Sequence, residues 1–157
     1  MSLQLPITRS IMDDSEEVML VSDFKVKIDC EFELEILCKA GFCFSGSFPN
    51  FLVPLLGSKT NDPTTMVGYL FHDLIYASRS FNRRTNDKIM INIHKKYNCG
   101  WFKRGQIYLA VRQLGYISAY TGHTRESILE NREYCDILHY KNIKPISLEK
   151  ALESLNE

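Results

Sequence analysis

Between Phe24 and Ile36 the chain alternates apolar and charged residues twice. Phe24-Lys25-Val26-Lys27-Ile28 has a period of two, and Glu31-Phe32-Glu33-Leu34-Glu35-Ile36 repeats it, so each run reads as a strand with one wet and one buried face. Phe32, Leu34 and Ile36 are expected inside and the glutamates in water. With Val18–Val21 ahead of them, residues 1–40 read as a small antiparallel sheet or hairpin whose edge is defended by its charges. Residues 41–61 show neither period. Three glycines, two prolines and a run of aromatics predict an ordered loop laid over the core, with a short helix near Asn50–Leu56. Ser45, Gly46 and Ser47 in this loop read as a buried turn more readily than as an anion nest.

From residue 62 the spacing becomes helical. Asp62-Pro63 predicts a capped start, and Val67, Leu70 or Phe71, and Leu74 form a stripe ending near Ala77. A second helix is expected from Asn82 to Tyr97, with Ile89, Met90 and Ile93 inward and Asn98 and Gly100 as its stop. A third runs from Trp101 to Leu114, buries Ile107, Tyr108, Val111 and Leu114, and stops at Gly115; Trp101, just before Phe102, anchors it. Residues 116–157 read as a mixed or helical tail. In it Thr124–Asn131 is one short helix, and Ser147 caps another whose stripe is Leu148, Ala151, Leu152 and Leu155. The shift from period two to period 3.6 predicts an α+β fold, a small N-terminal antiparallel sheet packed on a helical core of residues 62–115. A length of 157 residues suits a single domain.

Composition narrows the function classes. No apolar run approaches the ~20 residues of a membrane span, so no transmembrane insertion is expected. The opening MSLQLPITRSIMDD lacks the form of a secretory leader, which makes a cytoplasmic location the expectation. Cys30, Cys38, Cys43, Cys99 and Cys135 form an odd set without a CxxC pair, pointing to buried thiols rather than a disulfide framework or a zinc knot. The net charge of zero hides a dipole, because Arg79–Arg112 holds nine Lys and Arg against one acid, Asp87, while the first 61 residues hold nine acids against five bases. Arg83, Arg84, Lys88, Lys95, Lys96, Lys103 and Arg104 suit phosphates, but zero net charge and the lack of a binding motif disfavour nucleic acid.

The chemistry-bearing stretch is Tyr69–Tyr76, YLFHDLIY. On a helix His72 and Tyr76 share one face, and Asp73 lies about 100° round from His72. If the next helix returns antiparallel, Asp87 comes opposite His72 or Asp73. A His–carboxylate dyad of this kind leaves one imidazole nitrogen able to take a proton from water. The same groups equally make a polar knot that spares a helix pair unpaired buried atoms. His94, beside Lys95 and Lys96, reads as a solvated helix end; His123 and His139 lie in a polar tail, too far apart in sequence to signal a metal site.

Three segments in order carry a resemblance: GFCFSGSFPNFLVPLLG (Gly41–Gly57), HDLIY (His72–Tyr76) with Asp87 beyond it, and GQIYLAVRQLG (Gly105–Gly115). Together they resemble the domain family of unknown function numbered 1353, found among tailed bacteriophages and prophages. His72, Asp73, Tyr76 and Asp87 match that family's pattern. Its first segment reads Thr-Asp-Gly-Ala-Ser-Ile-Pro and then Arg, and here Phe44 stands on the aspartate and Asn50 on the arginine, so two charges are absent. Tyr108, Val111 and Gly115 match as packing residues and a helix stop. HDLIY is also similar to the His-Asp-x-x-Tyr helix of secreted phospholipases A2. That likeness implies His72 as base, Asp73 as calcium ligand and Asp87 as the acid that orients His72, although neither the glycine-rich calcium loop nor the many disulfides of those enzymes is found here.

Taken together, these readings lead to the expectation of a small phage-type hydrolase with His72, Asp73, Tyr76 and Asp87 as its site. The substrate expected is a small envelope-derived phosphodiester, acyl ester or amide. The alternative is a non-enzymatic viral accessory or virion-associated protein that meets a host or viral protein through its Arg79–Arg104 face. With two carboxylates and one imidazole, the site is expected to hold no tightly bound metal and at most a weak, exchangeable divalent ion.

Overall fold

The computed structural model describes residues 4–11, 17–45, 62–120 and 124–155, without the side chains of Glu17, Ser45 and residues 113–120. The chain is α+β, as expected, but its strands form two three-stranded antiparallel sheets rather than one. The first sheet is ordered β1 (Thr8–Ser10), β2 (Glu17–Leu20), β5 (Cys43–Ser45); the second is ordered β3 (Phe24–Asp29), β4 (Glu33–Cys38), β6 (Cys135–Lys141). The alternating runs behave as their pattern predicts: Phe24, Val26, Ile28, Leu34 and Ile36 are buried, and Lys25, Lys27 and Asp29 face water. Phe32 sits in the turn ahead of β4 rather than in the strand, yet it is still buried.

Residues 116–157 are mixed, and their strand, β6, is an element the periodicity did not mark. It pairs antiparallel with β4 along the whole strand, and the register shifts between Glu35↔His139 and Ile36↔Ile137. Leu138 is therefore an unpaired extra residue, a bulge, and it breaks the two-residue alternation that would have marked the strand in the sequence. His139, assigned to a polar tail, lies on this strand with Nε2 3.2 Å from Glu33 Oε2. His123, the helix expected at Asn50–Leu56, and the Gly46 and Ser47 part of the supposed turn lie outside the described residues; Ser45 ends β5.

Five described helices follow: α1 (Met66–Ser78), α2 (Arg83–Lys96), α3 (Trp101–Tyr120), α4 (Arg125–Glu133) and α5 (Leu148–Glu153). Asp62 starts α1 from a distance. Its Oδ1 accepts from Thr64 N at 2.9 Å and its carbonyl from Met66 N at 2.9 Å, while the N-cap position itself is Thr65. Helix α2 has the predicted limits, with Asn82 accepting from Thr85 N at 2.9 Å and Asn98 at φ 61°. Helix α3 does not stop at Gly115 but runs on to Tyr120, since a single glycine costs a helix only about 1 kcal/mol. Trp101 and Phe102 do not anchor it either: they are 78% and 63% exposed and meet each other edge to face at 5.8 Å. On α5 Ala151 is buried, but Leu148 is exposed.

Both sheets turn their apolar faces to α1 and α2, so Leu20, Val26, Leu34, Ile36, Phe71, Leu74 and Ile93 belong to one buried cluster. A smaller cluster of Tyr69, Met90, Cys99, Ile107 and Val111 joins α3 to the helix pair. Helix α1 is the centre of the molecule, touching α2, α4, β5 and β6. The turn from α1 to α2 is held from outside by Arg132 of α4, whose Nε donates to Ser78 O at 2.9 Å and whose Nη2 donates to Arg79 O at 3.2 Å. Antiparallel α1 and α2 therefore meet in a fixed register, and that register places the polar residues described next.

Candidate functional site

His72 comes from the middle of α1 and Asp87 from the second turn of α2. His72 Nε2 lies 3.4 Å from Asp87 Oδ1, and the Tyr76 hydroxyl, one helical turn beyond His72, donates to the same oxygen at 3.2 Å. Across the imidazole, Nδ1 is 3.6 Å from Asp73 Oδ1, an ion-pair contact too long for a good hydrogen bond. The four residues expected to form the site are thus together. The Asp87 side chain is 0% exposed, that of His72 13% and that of Asp73 34%, so the acid is sealed in and the imidazole keeps a small exposure.

Arg112 of α3 is the member sequence reading missed. Its Nη1 donates to Asp87 Oδ2 at 3.0 Å, opposite the oxygen taken by His72 and Tyr76. A signal was present: no acid lies within a helical turn of Arg112, and Asp87 is the sole acid between Arg79 and Arg112, so a cation without a local partner pointed to a carboxylate elsewhere in the fold. Arg83, at the start of α2, also reaches α3, donating through Nη2 to Val111 O at 3.2 Å and to Arg112 O. Asn86 donates to His72 O at 3.2 Å, which fastens the α1 backbone to α2 beside the site.

Electrostatics follow from these contacts. Burial pushes the Asp87 carboxyl up, but the bonds from His72 and Arg112 outweigh it and hold the group below the usual carboxylate range. Burial depresses His72, yet Asp73 and then Asp87 outweigh that, and its pKa rises above the ordinary 6.5. Burial and the Asp87 charge both push the Tyr76 phenol upward, so it remains a donor. A carboxylate can only accept, so Nε2 carries the proton shared with Asp87. In neutral His72 the bare nitrogen is then Nδ1, facing Asp73.

His94, read as a solvated helix end, is instead fully buried between α1 and α2. Its Nε2 donates to Thr65 O at 3.1 Å, and its ring meets Tyr69 edge to face at 5.3 Å. Space for it comes from Gly68: a Cβ there would lie 2.1 Å from His94 Nε2. Burial pulls its pKa down to about 4, and Nδ1 meets no donor among the described residues. His94 therefore stays neutral and is a packing group.

Most of the basic run is engaged within the fold. Lys88 bonds Glu31 at 3.2 Å, Lys96 the Lys27 carbonyl at 2.6 Å, Arg104 the Cys99 carbonyl at 3.0 Å, and Lys103 pairs with Asp62. A groove of about 510 Å³ between β3 and the end of α2 is lined by Lys27, Ile28, Asp29, Cys30, Asn92, Lys95 and Lys96, away from His72. Among the described residues no group of three or more His, Cys, Asp or Glu side chains could hold a metal ion, and no helix is long and apolar enough to cross a membrane. Compared with protein-family models, curated proteins and solved structures, the chain finds no match.

Proposed function

We propose that this protein is a small hydrolase in which His72 is the general base. The observation that carries the reading is the binding of Asp87: one buried carboxylate on α2 takes His72 Nε2 and Tyr76 of α1 on one oxygen and Arg112 of α3 on the other. Held in this way, Asp87 fixes the imidazole tautomer and leaves Nδ1 as the nitrogen that accepts a proton. Water approaching from the Asp73 side gives its proton to Nδ1 as its oxygen attacks the substrate, and Asp87 stabilises the imidazolium that forms. Asp73 makes Nδ1 more basic and is also the position for a weak, exchangeable divalent ion. An acyl ester, amide or phosphodiester derived from a cell envelope suits such a base, acting in a host cytoplasm or on a virion. The resemblance of HDLIY to the phospholipase helix implies the same roles for His72 and Asp87.

The test is turnover by purified protein on p-nitrophenyl acyl esters, bis-p-nitrophenyl phosphate and envelope fragments. His72→Gln is expected to lower the rate at least 100-fold while the folded fraction stays unchanged. The rate should rise with pH as His72 loses its proton, with an inflection above 6.5. No turnover by the parent protein, or full turnover by the variant, overturns the proposal.

A second reading is favoured by the complete burial of Asp87: a viral accessory protein in which these residues are a structural knot and the Arg79–Arg104 face meets a host or viral protein. Under it His72→Ala lowers the melting temperature and leaves partner binding by the folded fraction intact. Loss of turnover without loss of folding excludes it.

A further inference from the structure

Cys38 ends β4 and Cys135 opens β6, and the two are direct cross-strand partners. The next pair along is bonded, with Lys39 N donating to Tyr134 O at 3.0 Å, so in an antiparallel ladder the Cys38–Cys135 pair is a non-hydrogen-bonded one. Such pairs bring Cα atoms to about 4.5 Å and side chains closest together, within the roughly 4.4–6.8 Å that a disulfide spans. Opposed residues point to the same face of a sheet. Here that face is the core: Cys38 is fully buried in the main cluster, and half-buried Cys135 packs against it. The remaining cysteines differ. Cys30 and Cys43 are exposed, and Cys99 is buried in the separate α3 cluster.

We propose that Cys38 and Cys135 are an oxidative cross-link site, a thiol pair that a small-molecule disulfide converts into a clasp between β4 and β6. The Cys135 thiolate, the more accessible of the two, attacks one sulfur of the small disulfide and releases the other half as a thiolate, leaving a mixed disulfide. The Cys38 thiolate then attacks the Cys135 sulfur and expels the second half. The protein loses two protons and two electrons, and the small disulfide is reduced to two thiols. Present contacts of the two sulfurs are weak and yield easily: Cys38 Sγ is 3.8 Å from Lys39 O and Cys135 Sγ 3.6 Å from Ser80 Oγ. Burial pushes both thiols above the usual range. The exchange is consequently slow, and because thiolates of high pKa are poor leaving groups the bond once made resists reduction. It is a structural lock rather than a turning-over redox centre.

Position gives the lock its effect. The segment from Arg125 to Leu155 is attached to the rest of the molecule by β6, by Arg132 on the α1–α2 turn, and by Ile146 N on Ser80 O at 2.8 Å. A bond at Cys38–Cys135 fastens that segment covalently beside the same turn and closes a long loop of the unfolded chain.

The test uses the full chain with Cys30→Ser and Cys43→Ser, which removes the exposed thiols. It is incubated folded with oxidised glutathione at mildly alkaline pH, well below its melting temperature. A non-reducing peptide map is expected to show one linked peptide joining Cys38 to Cys135, and the melting temperature to rise by roughly 5–10 °C, reversed by strong reductant. Adding Cys135→Ser should abolish both changes; if that variant does not fold, Cys38→Ala serves, and the peptide map of the Cys30→Ser, Cys43→Ser protein is decisive by itself. A stable glutathione adduct on Cys135, linkage to Cys99, or no reaction after prolonged incubation overturns the proposal.

Discussion

Helices α1 and α2 enclose two histidines, and the two have opposite fates. His72 sits between Asp73 and Asp87, keeps a small exposure, and has its pKa raised. His94, less than two turns further along α2 than Asp87, is wholly buried against Gly68 with a backbone carbonyl as its partner, and its pKa falls to about 4. Both imidazoles lie in one helix interface. What separates them is the charge within hydrogen-bond reach, which stabilises imidazolium in the first case; in the second, burial acts almost unopposed. A histidine thus acquires chemical capacity from an ionised neighbour, and burial alone makes it an inert polar wedge.

The sharpest break of this contrast is Asp87→Ala. It leaves His72, Tyr76 and Arg112 without their common acceptor, and the expected loss is about 3–5 kcal/mol of stability in urea unfolding. A loss below about 1 kcal/mol would show that the carboxylate is not the anchor its burial indicates.

Acidity should pull the two histidines in opposite directions. Folded His94 stays neutral down to about pH 4, whereas in the unfolded chain it takes a proton near 6.5, so between those values the unfolded state binds more protons and stability falls as pH drops. The fall amounts to about 3 kcal/mol. For His72 the folded value is the higher one; its contribution is complete below 6.5 and is lost as pH rises through that folded value. The Asp87 contribution, from a lowered pKa, goes only as pH falls below about 3.8, outside the His94 window. Unfolding midpoints from pH 4 to 9 should therefore lose their acid slope in His94→Gln and their alkaline slope in His72→Gln, and the reverse assignment would undo the comparison.

Gly68→Ala sharpens it from the packing side. The new methyl group meets the His94 ring, and the cost is about 2 kcal/mol. In a His94→Ala background the same change should become neutral or stabilising, because alanine is the better helix former by about 1 kcal/mol; a double-mutant cycle reads the sign reversal. The smallest effect belongs to Arg112→Ala. The guanidinium is partly exposed, so solvent screens its pairing and stability drops only slightly, and the His72 pKa followed by NMR should move upward once the cation beyond Asp87 is gone.

Sequence by itself determined the features that depend on neighbours a few residues away. Alternation in Phe24–Ile28 and Glu31–Ile36 marked β3 and β4, Asn82 and Asn98 bounded α2, and four-residue spacing put His72 and Tyr76 on one face. A close partner for Asp87 could be anticipated because a short turn forces α1 and α2 antiparallel. Tertiary structure alone decided the rest. That Arg112 would close the site depended on where α3 crosses α2, and that His94 would be buried depended on a glycine 26 positions earlier opening the space for it. That Cys135 would lie opposite Cys38 depended on a strand whose bulge at Leu138 hides its period. Periodicity and capping are short-range, set by backbone geometry and local burial, whereas the identity of the group that fills a lone pair or a gap is set by packing between segments distant in the chain.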